Sequence, residues 1–438
     1  MYIKISTIHG KLDHIVFKTV LLLCVFLCNM ESLSASPLYS RQYKLSCSAC
    51  HQGAPKLNIF GLRFKLTHSL PNWEDNTTID TGDITMAVPK VFPLSLRTEA
   101  LVLAHRGFHI KDYNTGEITH NSNIDLQTPR FIKLISSSPL TNHLAYYMDA
   151  RMYPGVNTSN GSLAIGESWM RFRLERNDLV ATLTAGQFRS SDIINNTDTR
   201  LTVENYLIYL QSGMGFDRSL RADIDLGHLF WSLGISDGSG ANNSATLNSV
   251  GLGRGEVLFD ENGKKNIYTY LATRYQDYRL GLFWQVNQAA GASGALAENS
   301  ADHNSYQYVT GFDIRAYPSP KVTWNLQLIW NQWQDFITKN QRINWYGGFL
   351  SVDYIATTST SYSMLYNFTS AGDFTNSGTI YEGLAANVLT TAVSYYLRSN
   401  VRGFFEISMD FLPAQANSNF IGHQSKEDMV SLGIDLNY

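Results

Sequence analysis

The chain has 438 residues, a formal net charge of −3, 44% hydrophobic residues and only 16% charged residues. That balance excludes a nucleic-acid binder, which would carry a concentrated basic patch. Its 24 Tyr, 22 Phe and 8 Trp, set among many Asn, Ser, Thr and Gly, suit an outer-membrane barrel with aromatic girdles.

Residues 1–35 read as a signal peptide. Lys4, Lys11 and Lys18 precede an apolar run from Thr19 to Cys28 that is too short to cross a bilayer as a helix. The small residues Ser32 to Ser36 place a cleavage site near Ala35. Cys24 and Cys28 leave with the signal, so Cys47 and Cys50 alone remain, too few for a disulfide framework.

Residues 36–92 form the segment outside the barrel pattern. Cys47-Ser48-Ala49-Cys50-His51 is the C-x-x-C-H signature of covalent c-type haem attachment. Two thiols add to the haem vinyl groups, and His51 is placed as the proximal axial ligand. The alternative is a small disulfide or a redox C-x-x-C; the following His51, with no βαβ pattern around it, favours haem. For the distal ligand, His68 and Met86 are the local candidates, with His105, His109, His120 and His143 in or near the first strands. Methionine ligation would raise the haem potential. Leu57, Ile59, Phe60, Leu62, Phe64 and Leu66 offer apolar cover for part of a haem, but not for both faces. The economical arrangement is a cytochrome c-type plug inside a barrel, with the lumen walls completing the pocket. The alternative is a cytochrome hanging beneath an open pore.

Residues 93–438 read as the barrel. Apolar and polar residues alternate with the period of two that strands require. Leu144, Tyr146, Met148, Ala150 and Met152 oppose His143, Asp149 and Arg151; Met170, Phe172 and Leu174 oppose Trp169, Arg171 and Arg173; Trp324, Leu326, Leu328 and Trp330 oppose Thr323, Asn325, Gln327 and Asn331. Sixteen strands are predicted, at 95–109, 125–136, 141–152, 164–174, 178–188, 218–226, 229–236, 266–275, 278–287, 305–317, 321–334, 343–355, 358–368, 386–398, 401–411 and 428–438. Connections alternate long and short, as in bacterial barrels with short periplasmic turns and long external loops. The last strand alternates through Val430, Leu432, Ile434 and Leu436 to a terminal Tyr438, the usual ending of an outer-membrane barrel. The expected fold class is therefore all-β, a 16-stranded antiparallel transmembrane β-barrel in the outer membrane.

The stretch "GQFRSSDIINNTDTRLTVENYLIYL" and the following "FDRSLRADIDLGHLFWSLGISDG" loosely resemble phosphate- and polyphosphate-selective porins. Connection 189–217 is too long for a simple external loop and is expected to fold into the lumen as a constriction. Asp112, Glu117, Asp192, Asp198, Asp237, Asp260 and Glu261 read as solvated charges of external loops.

The haem segment as a whole resembles the fused monohaem cytochrome c–porin family of iron-oxidising bacteria. The match lies on Pro37, Arg41, Cys47, Cys50, His51, Pro55, Leu57, Asn58, Phe60, Gly61, Phe64 and Lys65. Leu66-Thr67-His68 departs from the family, which continues Gly-Tyr at this point. The resemblance implies one haem c and a one-electron oxidoreductase. Its electrons would pass from an extracellular donor, Fe(II), to a periplasmic electron carrier such as a cytochrome, with outer-membrane lipid around the barrel and no nucleic acid. The alternatives are a diffusion porin with a structural or regulatory haem domain, and outward electron transfer to an extracellular acceptor.

Overall fold

Alternation with period two leaves each strand one apolar and one polar face, and a closed sheet satisfies every backbone group without an edge. The computed structural model describes residues 38–67, 78–79, 81–82, 88–111, 118–141, 143–153, 162–176, 179–237, 265–290, 304–335, 340–374, 384–412 and 426–438. The signal peptide with its cysteines, both local distal candidates (His68 and Met86) and the loop acids Asp112, Glu117, Asp260 and Glu261 lie outside them.

The N-terminal segment contains helices α1 (Leu38–Tyr43) and α2 (Cys47–Cys50), strands β1 (His51–Gly53) and β2 (Lys56–Leu57), and helix α3 (Ile59–Thr67). Two short paired strands follow, β3 (Thr78–Ile79) and β4 (Val88–Pro89). Sixteen strands then close one antiparallel barrel. The first half runs β5 (Leu94–Lys111), β6 (Ile118–Pro139), β7 (Leu144–Tyr153), β8 (Ser162–Arg176), β9 (Leu179–Arg189), β10 (Phe216–Asp225), β11 (Leu229–Ser236) and β12 (Asn266–Tyr275). The second half runs β13 (Tyr278–Ala290), β14 (Asn304–Ser319), β15 (Val322–Gln334), β16 (Arg342–Ile355), β17 (Thr360–Ser370), β18 (Ala386–Arg398), β19 (Val401–Asp410) and β20 (Lys426–Asn437). Each of the sixteen predicted strands is present, with ends displaced by up to seven residues, the most at the start of β6.

The barrel closes where β20 pairs with β5. Tyr438 N donates to Leu96 O at 2.7 Å and Leu96 N to Tyr438 O at 2.8 Å, so the terminal residue zips the seam. Inside it, Arg97 Nε and Nη2 donate to the Asp435 carboxylate at 3.0 and 2.9 Å.

The burial pattern is inverted relative to a soluble core. On β15, Thr323, Asn325, Gln327 and Asn331 are buried toward the lumen, while Leu328 and Trp330 are 42% and 53% exposed. Met170, Phe172 and Leu174 of β8 face outward, and Trp169, Arg171 and Arg173 face inward. Exposed leucines beside buried polar residues are what a lipid-facing wall requires. Aromatic pairs mark its borders. Tyr354 of β16 and Tyr362 of β17 stack at 6.4 Å near the short-turn end, and Trp330 of β15 and Tyr346 of β16 stack at 6.0 Å farther along β16. Tyr354 and Tyr346 are separated by roughly 27 Å of strand, which at a tilt of about 40° spans roughly 21 Å of the apolar band's height.

The long connection after β9 turns into the lumen. It carries 3-10 turns at Ser190–Ile193 and Thr197–Thr199 and helix α4 (Leu207–Gln211). Ile194, Leu207, Ile208 and Tyr209 are buried, and Tyr206 stacks on Phe349 of β16 at 4.1 Å. A buried connection must have its backbone satisfied. The wall provides this: Glu406 accepts from the amides of Val203 and Glu204 at 2.6 and 2.9 Å, and Arg402 donates to Leu201 O at 2.9 Å. The predicted constriction is present. It also corrects the reading of two loop acids, because Asp192 and Asp198 ride on this inserted segment and make ion pairs inside the barrel rather than in solvent.

Candidate haem site and the lumen around it

The thiol turn is built by local hydrogen bonds. Ala49 N donates to Ser46 O at 3.0 Å to open α2, and the His51 amide closes it onto Cys47 O. Asn58 joins α2 to α3. Its Nδ2 donates to Ala49 O at 2.9 Å, its amide donates to Cys50 O at 2.9 Å, and its Oδ1 accepts from Gly61 N at 2.8 Å as the cap of α3. Gly61 lies so close to the turn that a Cβ there would sit 2.2 Å from Cys50 O. Two positions of the cytochrome–porin resemblance, Asn58 and Gly61, thus hold the Cys-x-x-Cys turn against the helix that follows it.

An aromatic corner lies behind the turn. Phe64 packs edge-on against Tyr39 at 4.9 Å and Tyr43 at 5.4 Å. The corner is fastened to the barrel wall by Tyr39 Oη donating to Ser137 Oγ and Gln42 Nε2 donating to Ser137 O, both at 2.9 Å. On the opposite side Thr323 Oγ1 donates to Gln52 Oε1 at 2.6 Å, and Tyr396 Oη donates to Ala54 O at 2.9 Å. Between them Lys56 forms an ion pair with Asp353 at 2.6 Å, with both side chains less than a tenth exposed. Burial alone would lower the Lys56 pKa; the Asp353 carboxylate outweighs it and holds the amine charged. Residues 38–67 therefore touch opposite parts of the inner wall at the short-turn end.

One cavity of about 260 Å³ lies between this segment and the barrel. The segment contributes Tyr39, Tyr43, Cys47, Cys50, His51, Pro55, Leu57 and Phe64; the wall contributes Arg97, Lys133, Ile135, Tyr147 and Glu167; the inserted segment contributes Asn196, Asp198 and Thr199. Both cysteines are free thiols, and burial pushes the Cys50 thiol up. His51 is half-buried, and its loss of water lowers its pKa and favours the neutral imidazole, although the neighbouring backbone of Pro55 and Lys56 offsets part of the fall. Its Nδ1 is buried with no well-formed hydrogen bond. Two free thiols one helical turn apart, a neutral imidazole and an orphaned ring nitrogen beside one cavity fit a covalently held haem with one protein axial ligand.

The sequence did not flag the polar half of the cavity. Asp198 is its centre: Lys133 Nζ reaches Asp198 at 2.8 Å, Arg151 Nη2 at 2.6 Å and Arg189 Nη1 at 3.6 Å, from β6, β7 and β9. Lys133 also meets Asp149 at 2.9 Å. Strand parity places Lys133, Asp149 and Arg151 on the lumen face, but their convergence on a loop residue is not a pattern a sequence displays. His143 is exposed at the β6–β7 turn with Nδ1 3.0 Å from Arg173 O and does not line the cavity. His105 and His109 lie on β5 and His120 on β6, with their side chains outside the described residues.

No protein-family model matches the chain, and no curated protein is similar to it in sequence. Similar solved structures include outer-membrane porins and channels. An anion-selective porin from Comamonas acidovorans aligns with a TM-score of 0.51 at 10% identity, covering 79% of this chain and 99% of that one. The outer-membrane channel DcaP of Acinetobacter baumannii aligns with a TM-score of 0.52 at 11% identity, covering 79% and 97%. A loop-deletion mutant of OmpT, an outer-membrane protein of Vibrio cholerae, aligns at 0.50 and 9% identity, covering 79% and 99%. These likenesses establish the fold: the chain is a porin-like, sixteen-stranded barrel of the bacterial outer membrane.

Proposed function

We propose that this protein is an outer-membrane electron conduit, a c-type cytochrome joined to a porin-like barrel. Electrons pass from an extracellular donor, Fe(II), to a soluble carrier in the periplasm. The observation that carries this reading is the single cavity bounded by both thiols, the His51 ring and the barrel wall. Cys47 and Cys50 would hold haem c through thioethers, and His51 would supply one axial nitrogen. When bound, the group supplies one-electron exchange between Fe(III) and Fe(II). The chain's own residues position and enclose it: Phe64, Tyr39 and Tyr43 give apolar cover, Asn58 and Gly61 fix the thiol turn, and Asp198 with its cations closes the side facing the inserted segment. The Fe(II) assignment rests on the resemblance to cytochrome–porins. Its test is to express the protein in a haem-maturing host and add Fe(II) to membranes. Reduction of the haem band is expected; a haem that dithionite reduces and Fe(II) does not would remove iron from the account.

A second reading, a diffusion porin with a structural haem domain, is favoured by the fold likeness to an anion-selective porin and to an outer-membrane channel. A further cavity of about 130 Å³, lined by Arg171, Arg221, Arg279 and Arg315 among others, suits it. Planar-bilayer conductance separates the two readings. The conduit passes almost no ionic current, because residues 38–67 and the inserted segment both occupy the lumen; a diffusion porin passes a steady one.

A further inference from the structure

The short turns and both barrel ends lie on the periplasmic side. Among the described residues, that side is strongly one-signed. Lys44, Arg63, Lys90, Arg176, Lys321 and Arg398 are exposed there, against the exposed acids Glu175 and Asp277, and Glu175 is paired with Arg173. In the same segment as Lys44 and Arg63, Ile59 and Phe60 open α3, 49% and 41% exposed, directly after the Asn58 cap that holds the thiol turn; Ile59 also borders the cavity of about 130 Å³. Lys44 precedes Leu45 and Ser46 of the cavity wall, with its backbone in the left-handed region at φ 54°. Lys321 follows Pro320, whose carbonyl accepts from Gln52 Nε2 at 3.3 Å. Arg398 adjoins Ser399, also of the cavity wall.

We infer that this face is a docking surface for a small soluble redox protein whose own docking face is acidic. The inference rests on the electron-conduit reading and names the surface and the charge of the carrier. Exposed cations with a few exposed apolar side chains give a short-lived, steered complex, as electron exchange between a membrane protein and a diffusing carrier requires. Lys44 and Arg63 belong to the segment within the barrel mouth rather than to the lipid-facing wall, which favours a protein over a membrane surface as the occupant.

The test uses the full-length protein in detergent and two soluble monohaem cytochromes c of similar size, one acidic and one basic. Binding is measured by microscale thermophoresis at low and at physiological ionic strength. The acidic probe is expected to bind, to weaken at least about tenfold as salt shortens the Debye length, and to weaken about tenfold in Lys44→Glu/Arg63→Glu/Lys321→Glu. None of these three residues lies in a barrel strand, and heat-modifiable gel mobility checks that the variant barrel is folded. Equal binding of both probes, or no response to the triple substitution, overturns the inference. So does a substitution that releases anionic vesicles while leaving the acidic probe unaffected, which would assign the face to lipid. Haem content is read by mass spectrometry on the same samples. A protein that binds the acidic probe but carries no haem keeps the docking surface and loses the conduit reading, so the two failures are told apart.

Discussion

Gly61 is the residue on which the thiol turn depends most directly. Any side chain there meets Cys50 O, a backbone atom that cannot move without moving the cysteine. Gly61→Ala is therefore expected to cut the fraction of protein carrying covalent haem by at least about tenfold while leaving barrel assembly intact; haem-stained denaturing gels against total protein measure this. Asn58→Ala removes the α3 cap and the braces to α2, a loss of about 1–2 kcal/mol for the cap alone, and is expected to lower haem attachment more mildly. The Lys56–Asp353 pair acts differently. Removing one member of a buried pair leaves an uncompensated charge and costs about 3–5 kcal/mol, so Lys56→Ala is expected to free residues 38–67 for protease cleavage in folded barrels. Lys56→Met with Asp353→Leu removes both charges and should restore much of the protection; if the double variant is cut as fast as the single one, the pair is not the fastening.

At the scale of elements, the strands were legible and the lumen was not. Period-two alternation with outward Leu, Met and Trp gave every strand, since lipid on one side and water on the other impose a simple rule on each position. The inserted segment was legible from its length, which is too great for a simple external loop; its apolar stretch Tyr206–Leu210, largely buried in the lumen, is a signal that reading did not use. Asp192 and Asp198 were misread for a physical reason: an acid in a polar connection looks solvated until the fold brings Lys133, Arg151 and Arg189 to it. In the N-terminal segment the legible feature was the motif Cys47, Cys50 and His51, with the spacing that covalent haem attachment would require. Its partners on the wall, such as Ser137, Thr323, Asp353 and Tyr396, are scattered over the chain and carry no motif. Replacing residues 196–210 with a short Gly-Ser linker is expected to remove the upper obstruction and expose the cavity to the outside. Single-channel recordings should then show small, steady conductance absent from the parent protein. Unchanged silence would mean that the N-terminal segment alone closes the barrel.

At the scale of the whole molecule, two insertions share one lumen. One enters at the periplasmic mouth and carries the thiols; the other descends from the external side and brings Asp198. The cavity lies where they meet the wall, and none of the three parts encloses it alone. A segment as short as residues 38–67 buries little surface by itself, so the barrel completes its packing. This arrangement explains how a chain with the fold of diffusion porins can be read as a carrier of electrons, and it places the claim on the chemistry of two residues. The most direct measurement is the mass of the proteolytic peptide containing Cys47 and Cys50, from protein produced in a haem-maturing host. A peptide heavier by one haem, joined at both cysteines, is expected, with loss of that mass in Cys47→Ala with Cys50→Ala. A peptide with two unmodified thiols or a Cys47–Cys50 disulfide would contradict it.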